Sequence, residues 1–355
     1  MKTKLIALLV LPWVLACNQA SEPKKERELN KENKLVNEKK KSQVSADSLK
    51  QTIVVPTLDS KITDGKNAIY SAAFMFAWNE TEKKMGGNVI IKQDNSADFK
   101  AMVHNNTYKN VLLPTEYATK VSVDGVSGEI VAIAEFTKKL PFSDWFHDIG
   151  SIRFNGKGSF ESFGIISHYD EVGISQMKIR HYNNNDEFII SLQPKDDDHE
   201  ILLIMDTKYG STLKDIFTSA KAKIKATERL VKSKKTASWK TYFTKLDRMA
   251  IPAIEFFIKN RYHDIEGQDF KAGNTPHIIV EAWQSIDFKF DRKGATLEDQ
   301  GYMASDSTVL ETEKPQPKFM VFNRPFAIFL KRKDAKYPYF GMMVNNSELL
   351  VPFNK

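Results

Sequence analysis

Apolar and β-branched residues fall along this chain in short runs separated by clusters of Asn, Asp, Gly and Pro, the pattern of strands joined by turns. Runs at 89–91, 111–113, 129–136, 188–192 and 201–205 predict strands, as do later runs at 250–258, 278–290, 319–322, 327–331 and 339–344. Asn183-Asn184-Asn185-Asp186 and Lys195-Asp196-Asp197-Asp198 are turn signals. Apolar positions take helical spacing over 69–85 and again over 211–231, the second with a lysine-rich outer face. No internal repeat is present, and the order of elements predicts an α+β fold with a dominant antiparallel or mixed sheet.

The amino terminus departs from this pattern. Lys2 and Lys4 precede an apolar run, 5–15, which is too short to cross a bilayer and reads as a secretory signal. It ends in Val14-Leu15-Ala16-Cys17, which resembles the lipobox of bacterial lipoproteins, and Cys17 is the only cysteine of 355 residues. The resemblance implies loss of residues 1–16, a diacylglyceryl group on Cys17, and a membrane partner held through that lipid. Asn18 stands where an Asp retains many such proteins at the inner membrane, so the expected place is the bacterial cell envelope, at the outer membrane, periplasmic or surface-exposed. Residues 21–50 are mostly Lys, Glu, Asn and Ser with no aromatic side chain, a composition unable to offset chain entropy by burial. Residues 17–50 are therefore expected to be a flexible tether, and 51–355 the folded domain.

Composition narrows the chemistry. With 41% hydrophobic and 11% aromatic residues the chain can build a sizeable core, and a net charge of +7 biases it toward anionic lipid or polysaccharide without naming a partner. A single cysteine, assigned to the lipid, leaves no disulfide, thiol nucleophile or cysteine-based metal site. The commonest nucleotide-binding, zinc-protease and serine-hydrolase signatures are absent. His199 beside Asp196, Asp197 and Asp198 reads as part of a solvated hairpin turn rather than a metal cluster. Trp239, Tyr242 and Phe243 among lysines read as a half-buried amphipathic segment rather than a nucleic-acid platform. Glu135, Asp144 and Glu161 are carboxylates whose spacing defines no acid/base pair. The expectation is a protein with no catalytic residue, no cofactor, no metal and no nucleic-acid partner.

The carboxyl end carries more specific information. Phe322-Asn323-Arg324-Pro325-Phe326 opens one strand and Phe340-Gly341-Met342 lies in the last, an arrangement similar to the closing strands of the serpin family of protease inhibitors. Upstream, 282–296 resembles the long serpin strand that leads into the reactive loop, 130–142 the strand ending in the family's Phe-Lys-Gly-x-Trp pattern, and 188–195 with 200–205 a serpin hairpin. Residues 67–71 resemble the opening of an early helix, and 250–256 the Leu-Pro-Lys-Phe strand. The resemblance covers most of 67–350 and implies a serpin-like α+β fold, with dominant sheets, peripheral helices and a reduced helical amino-terminal half.

It also implies a mechanism. In serpins a target protease cleaves the reactive loop, and the cut loop enters the central sheet as a new strand. Here the loop would be about 294–317, with Gly294, Ala295, Thr296, Leu297 and Asp299 forming the hinge and Met303, Thr308 or Leu310 in the cleaved region. With Ala295 facing inward, a period of two turns Leu297, Asp299, Gly301 and Met303 inward as well, and a buried, unpaired Asp299 would oppose insertion. Arg292 and Lys293 replace an expected acidic residue, Ala132 an Asn, Gln284 a His and Leu140 a Trp. Three readings follow: a surface-anchored inhibitor or decoy for a serine or cysteine protease, a non-inhibitory serpin-like binding protein, and an enzyme whose site linear spacing does not reveal.

Overall fold

Strands outnumber helices in the computed structural model, which describes residues 42–123, 130–135, 137–166, 170–206, 208–295 and 316–354. Cys17, the signal segment, most of the tether, and Thr296, Leu297, Asp299, Met303, Thr308 and Leu310 lie outside the described residues. In chain order the strands are Val44–Ser45 (β1), Thr52–Val54 (β2), Asn67–Ser71 (β3), Val89–Ile91 (β4), Ala118–Val123 (β5), Ile130–Glu135 (β6), Leu140–Pro141 (β7), His147–Phe154 (β8), Lys157–Ile165 (β9), Met177–Asn184 (β10) and Glu187–Leu192 (β11). They continue as His199–Met205 (β12), Arg248–Pro252 (β13), Ile254–Arg261 (β14), Asp269–Ala272 (β15), Thr275–Ile278 (β16), Trp283–Phe290 (β17), Gly294–Ala295 (β18), Phe319–Val321 (β19), Phe326–Arg332 (β20) and Phe340–Val344 (β21). Among them lie the helices Ala73–Lys84 (α1), Ala97–Val103 (α2), Glu171–Ser175 (α3) and Leu213–Lys232 (α4). The architecture is α+β, with one dominant sheet and few peripheral helices.

The largest sheet has seven strands in the order β10-β11-β12-β20-β21-β3-β2. Its inner strands are near-continuous apolar runs rather than alternating ones, because both faces are covered. On one face lies α4, whose amino end is capped by the Thr212 hydroxyl accepting the Asp215 N–H at 3.0 Å. The helix buries Leu213, Ile216, Phe217, Ala220 and Ile224, and Phe217 meets Phe329 of β20 edge-to-face at 5.3 Å between centroids. Gly341 in β21 makes room for this contact: a Cβ there would stand 2.8 Å from the Phe329 ring. Against the other face packs a four-stranded sheet, β19-β13-β9-β8, through Phe154, Phe188, Phe322 and Phe326 with centroids 5.1–6.3 Å apart.

Four smaller sheets complete the body: β1-β14-β17, β16-β15-β4, β18-β7 and β5-β6. Helix α1 packs on β5, β6 and β17.

Local expectations fail in informative places. Residues 67–71, expected to open a helix, form β3, fully buried between β2 in parallel and β21 in antiparallel register. The helix begins only at Ala73. Residues 111–113, expected to be a strand, are a turn bracketed by Asn110 at φ 59° and Pro114, although Val111 and Leu112 are buried. The run 250–258 is broken at Ala253, where the chain leaves the four-stranded sheet for β14, and 278–290 is broken between β16 and β17. Ordered structure also begins before Gln51. Val44 and Ser45 pair with Ile258 and Lys259 of β14, and the Glu348 carboxylate accepts the N–H groups of Lys50 and Gln51 at 2.9 and 3.0 Å and the Thr52 hydroxyl at 2.7 Å. The end of the tether is thus ordered by backbone hydrogen bonds, which its polar composition does not reveal.

Candidate functional site: the two stems of the loop

The amino stem grows from β17, in which Gln284, Ile286, Phe288 and Phe290 are buried and alternate with exposed or half-exposed residues. After Phe290 the chain turns tightly. Asp291 and Gly294 exchange backbone hydrogen bonds of 3.2 and 3.1 Å, and the Asp291 carboxylate accepts the Lys293 N–H at 2.8 Å. Gly294 sits at φ +119°, and a Cβ there would lie 2.4 Å from the Leu140 carbonyl oxygen, so only glycine lets β18 pair with β7. The carbonyls of Lys293 and Arg292 accept the N–H groups of Phe142 and Phe146, each at 3.0 Å. Ala295 is 3% exposed. The turn rests on an aromatic cluster of Phe142, Phe146, Phe163 and Phe290, and the Arg292 and Lys293 cations stand 5.0 and 4.7 Å from the centroid of the exposed Trp145 ring.

Below this clasp the strands part. Among the described residues β17 has no ladder partner besides β14, and β6 none besides β5. Two strands joined through β18 and β7 at one end, and resting on the same helix α1, therefore each keep one unpaired edge. Gln284, in the place of an expected His, accepts the Tyr262 O–H at 2.8 Å and donates to the Ser71 carbonyl at 3.2 Å, tying β17 to the end of β3. Leu140 is fully buried and Ala132 half-buried.

The carboxyl stem is held differently. Lys318 and Asp247 are both fully buried, with Nζ 2.6 Å from Oδ2. Lys318 donates its backbone N–H to Asp247 Oδ1 at 2.7 Å and its ammonium to the Trp239 carbonyl at 2.7 Å, while Thr244 N–H donates to Oδ2 at 2.6 Å. The ammonium also stands 5.2 Å from the Trp239 ring centroid and 5.9 Å from that of Tyr182. Immediately after it β19, three residues long, pairs in parallel with β13. Nothing in the linear order pointed to this pair, whose members are 71 positions apart.

His199 requires a correction. It is not solvated but fully buried at the start of β12, with Nε2 3.0 Å from Glu116 Oε1 and 3.6 Å from Asp196 Oδ2. Glu116 also pairs with Lys138 at 2.5 Å and Arg332 at 3.3 Å, and accepts the Leu113 N–H at 2.7 Å. Burial works to raise the Glu116 pKa, but the Lys138 ammonium and these other donors hold it down at about 2. The His199 pKa is lowered by burial and, next, by Lys138, against the pull of Asp196 and Glu116. The cluster is a structural knot joining the β6–β7 link to the turns beside β12 and β20. Asp144 lies in the loop after β7 and Glu161 on β9 with its side chain exposed; they make no pair with each other. Trp239 is buried and Tyr242 exposed, which fits an amphipathic segment. Among the described residues no group of His, Cys, Asp and Glu is arranged to hold a metal, and no helix is long and apolar enough to cross a membrane.

No protein-family model matches the chain, and no curated protein matches it. Solved structures similar to it include Serpin48 of the insect Tenebrio molitor, at 10% identity over 63% of this chain and 57% of that one, with a TM-score of 0.37. Native protease nexin-1 with heparin matches at 13% identity over 67% and 61%, TM-score 0.38, and the thermophilic serpin tengpin at 12% over 61% and 55%, TM-score 0.36. The chain thus spans between 55% and 61% of the length of these serpins. At such TM-scores the likenesses carry no argument of their own, and the α+β architecture stands on the strands described above.

Proposed function

We propose that this chain is a serpin-like inhibitor or decoy of a serine or cysteine protease, presenting residues 294–317 as a substrate-like loop and held at a membrane through lipid on Cys17. The observation that carries the reading is that, among the described residues, β17 and β6 each keep one edge without a ladder partner and are clasped at the end from which the loop departs. An extended segment entering between such edges would satisfy a row of backbone donors and acceptors on both sides. The order of motifs along 67–350 supports the same reading. In the proposed step the protease serine or cysteine attacks a loop carbonyl, the amine of the next residue leaves, and the acylated amino stem folds back from Ala295 toward the open edges. Asp299 is the brake, because its carboxylate would turn toward the buried face.

The test is thermal unfolding before and after a protease nicks the loop between Gly294 and Pro317. A rise of tens of degrees, with a denaturant-resistant protease adduct, is expected for an inhibitor. Cleavage without a rise would leave a non-inhibitory serpin-like binding protein. For the anchor, Cys17→Ala is expected to move the protein from the detergent phase to the aqueous phase on phase partitioning; no movement would remove the lipid from the reading.

A further inference from the structure

Helix α4 runs past the body that supports it. Ile224 is its last buried side chain, yet the helix continues through 225–232, about 12 Å farther at roughly 1.5 Å per residue. The projecting turns are steadied from one side by β10: Arg180 pairs with Glu228 at 3.1 Å, and Thr227 Oγ1 lies 2.8 Å from His181 Nδ1. After Lys232 the chain folds back over the helix end, with the N–H groups of Ser233, Lys234 and Lys235 donating to the carbonyls of Arg229, Val231 and Leu230 at 3.0, 3.0 and 2.9 Å. Lys234, at φ 52°, makes the turn. The result is a tip on which Leu230 is 44% and Val231 42% exposed. Val231 continues the stripe of Leu213, Ala220 and Ile224 that is buried lower in the helix, but beyond the end of the core.

Charge gathers at the same place. Within 225–235 stand five exposed cations, Lys225, Arg229, Lys232, Lys234 and Lys235, against one carboxylate, Glu228, which Arg180 already pairs. None of the five makes an ion pair among the described residues. Tyr242, also exposed, belongs to the segment 241–243, which borders a hollow together with Glu228 and so stands beside the projecting turns. Cations in a last turn complement the helix dipole, and lysines keep a surface soluble. Neither role accounts for Leu230 and Val231 side by side among the cations, nor for a helix prolonged beyond its packing. Uncovered, both aliphatic side chains face water.

We propose that this tip docks on a bilayer of anionic phospholipid, with Leu230 and Val231 entering the headgroup region and the surrounding cations meeting the lipid phosphates. Basic residues on an amphipathic helix are drawn to the negative potential of such a surface, and apolar side chains between them leave water as they enter it. A dissolved polyanion would satisfy the cations but leave Leu230 and Val231 in water, and an uncharged bilayer would do the reverse. Of the three, only the anionic bilayer takes both. The contact requires neither the loop nor lipid on Cys17, and with that lipid present it adds a second point of attachment.

The test uses the full chain with Cys17→Ala, which removes both the anchor and the only cysteine. A cysteine is then placed at the tip, Leu230→Cys, or beside the other end of the helix, Ser211→Cys, roughly 30 Å away, and labelled with a polarity-sensitive fluorophore. Titration with vesicles of phosphatidylglycerol and phosphatidylcholine in equal parts is expected to shift the emission of the label at 230 to the blue and leave that of the label at 211 unchanged. Vesicles of phosphatidylcholine alone, and dextran sulfate as a soluble polyanion, are expected to shift neither. Neutralising two exposed lysines, Lys232→Gln with Lys235→Gln, is expected to raise the anionic lipid concentration needed for the shift at least tenfold, with the melting temperature unmoved. The apolar run 5–15 and the tether are common to every form, so binding through them would not produce this difference. No shift at 230, an equal shift at both positions, a shift with phosphatidylcholine or dextran sulfate, or indifference to the lysine substitutions would each overturn the assignment.

Discussion

Replacing Lys318 by Met keeps most of the side-chain volume but removes the ammonium, leaving the Asp247 carboxylate fully buried with only the backbone N–H groups of Lys318 and Thr244 as donors. The Trp239 carbonyl loses its 2.7 Å donor as well. Breaking a buried pair by removing one partner costs about 3–5 kcal/mol, because the remaining charge stays in a poorly solvated place. For a chain of this size that corresponds to a drop in melting temperature on the order of 5–15 °C. Asp247→Asn is expected to cost a similar amount, since it weakens two acceptor sites and leaves the ammonium buried. The double substitution should cost less than the sum of the two singles, because each single already loses the shared pair. Thermal unfolding measures the total, and hydrogen exchange locates it: the Phe322 amide, which donates to the Ala250 carbonyl at 2.9 Å, should lose protection before the amides of β20. If Lys318→Met melts within 2 °C of the parent, or if Phe322 keeps its protection, the buried pair does not hold the carboxyl stem.

Three further substitutions have expected outcomes. Gly294→Ala forces a Cβ against the Leu140 carbonyl at a φ of +119°, so β18 should detach from β7, and limited proteolysis should then cut near residue 294 markedly faster than in the parent; an unchanged rate refutes the clasp. His199 has a folded pKa below its ordinary 6.5, so the unfolded chain binds the proton more readily and stability contributed by the neutral ring is lost as pH falls below about 6.5. Glu116, held at about 2 against an ordinary 4.5, contributes stability present above that ordinary value and lost as pH falls toward 2. Urea midpoints at pH 7.5 and 5.5 should therefore differ less in His199→Gln than in the parent, and an equal difference would count against the buried neutral ring. Asp299→Ala should enlarge any rise in melting temperature that follows loop cleavage; a smaller rise would mean that Asp299 does not oppose insertion.

What the sequence disclosed follows from what each element depends on. Strands β11, β12, β20 and β21 lie in the middle of a sheet covered on both faces, so each is a run of apolar residues that local composition alone identifies. Strand β3 failed because Asn67-Ala68-Ile69-Tyr70-Ser71 adjoins a helical pattern, and its strand character comes from Met342 and Met343, far away in the chain. Lys318 and Asp247 are unremarkable in the sequence, since charged residues are normally exposed, and only the fold shows that the two converge. The run of aspartates before His199 signals the turn correctly but not the burial of the ring, which depends on Glu116 and Arg332 from two other segments. The serpin resemblance makes Gly294 part of a hinge, whereas the reason for glycine there, the approach of the Leu140 carbonyl, is visible only in space.

The ordering of residues 44–52 also gives the molecule a mechanical weak point. Any tension on the chain ahead of Val44 acts first on the two residue pairs that β1 makes with β14, and then on the carboxylate of Glu348, which grips Lys50, Gln51 and Thr52. Two paired residues offer little resistance to being peeled from an edge, so β1 should yield at low force, whereas the Glu348 grip lies where β2 enters the largest sheet. A pull from the amino terminus would thus free several residues before it loads the core, sparing the main sheet while baring the outer edge of β14.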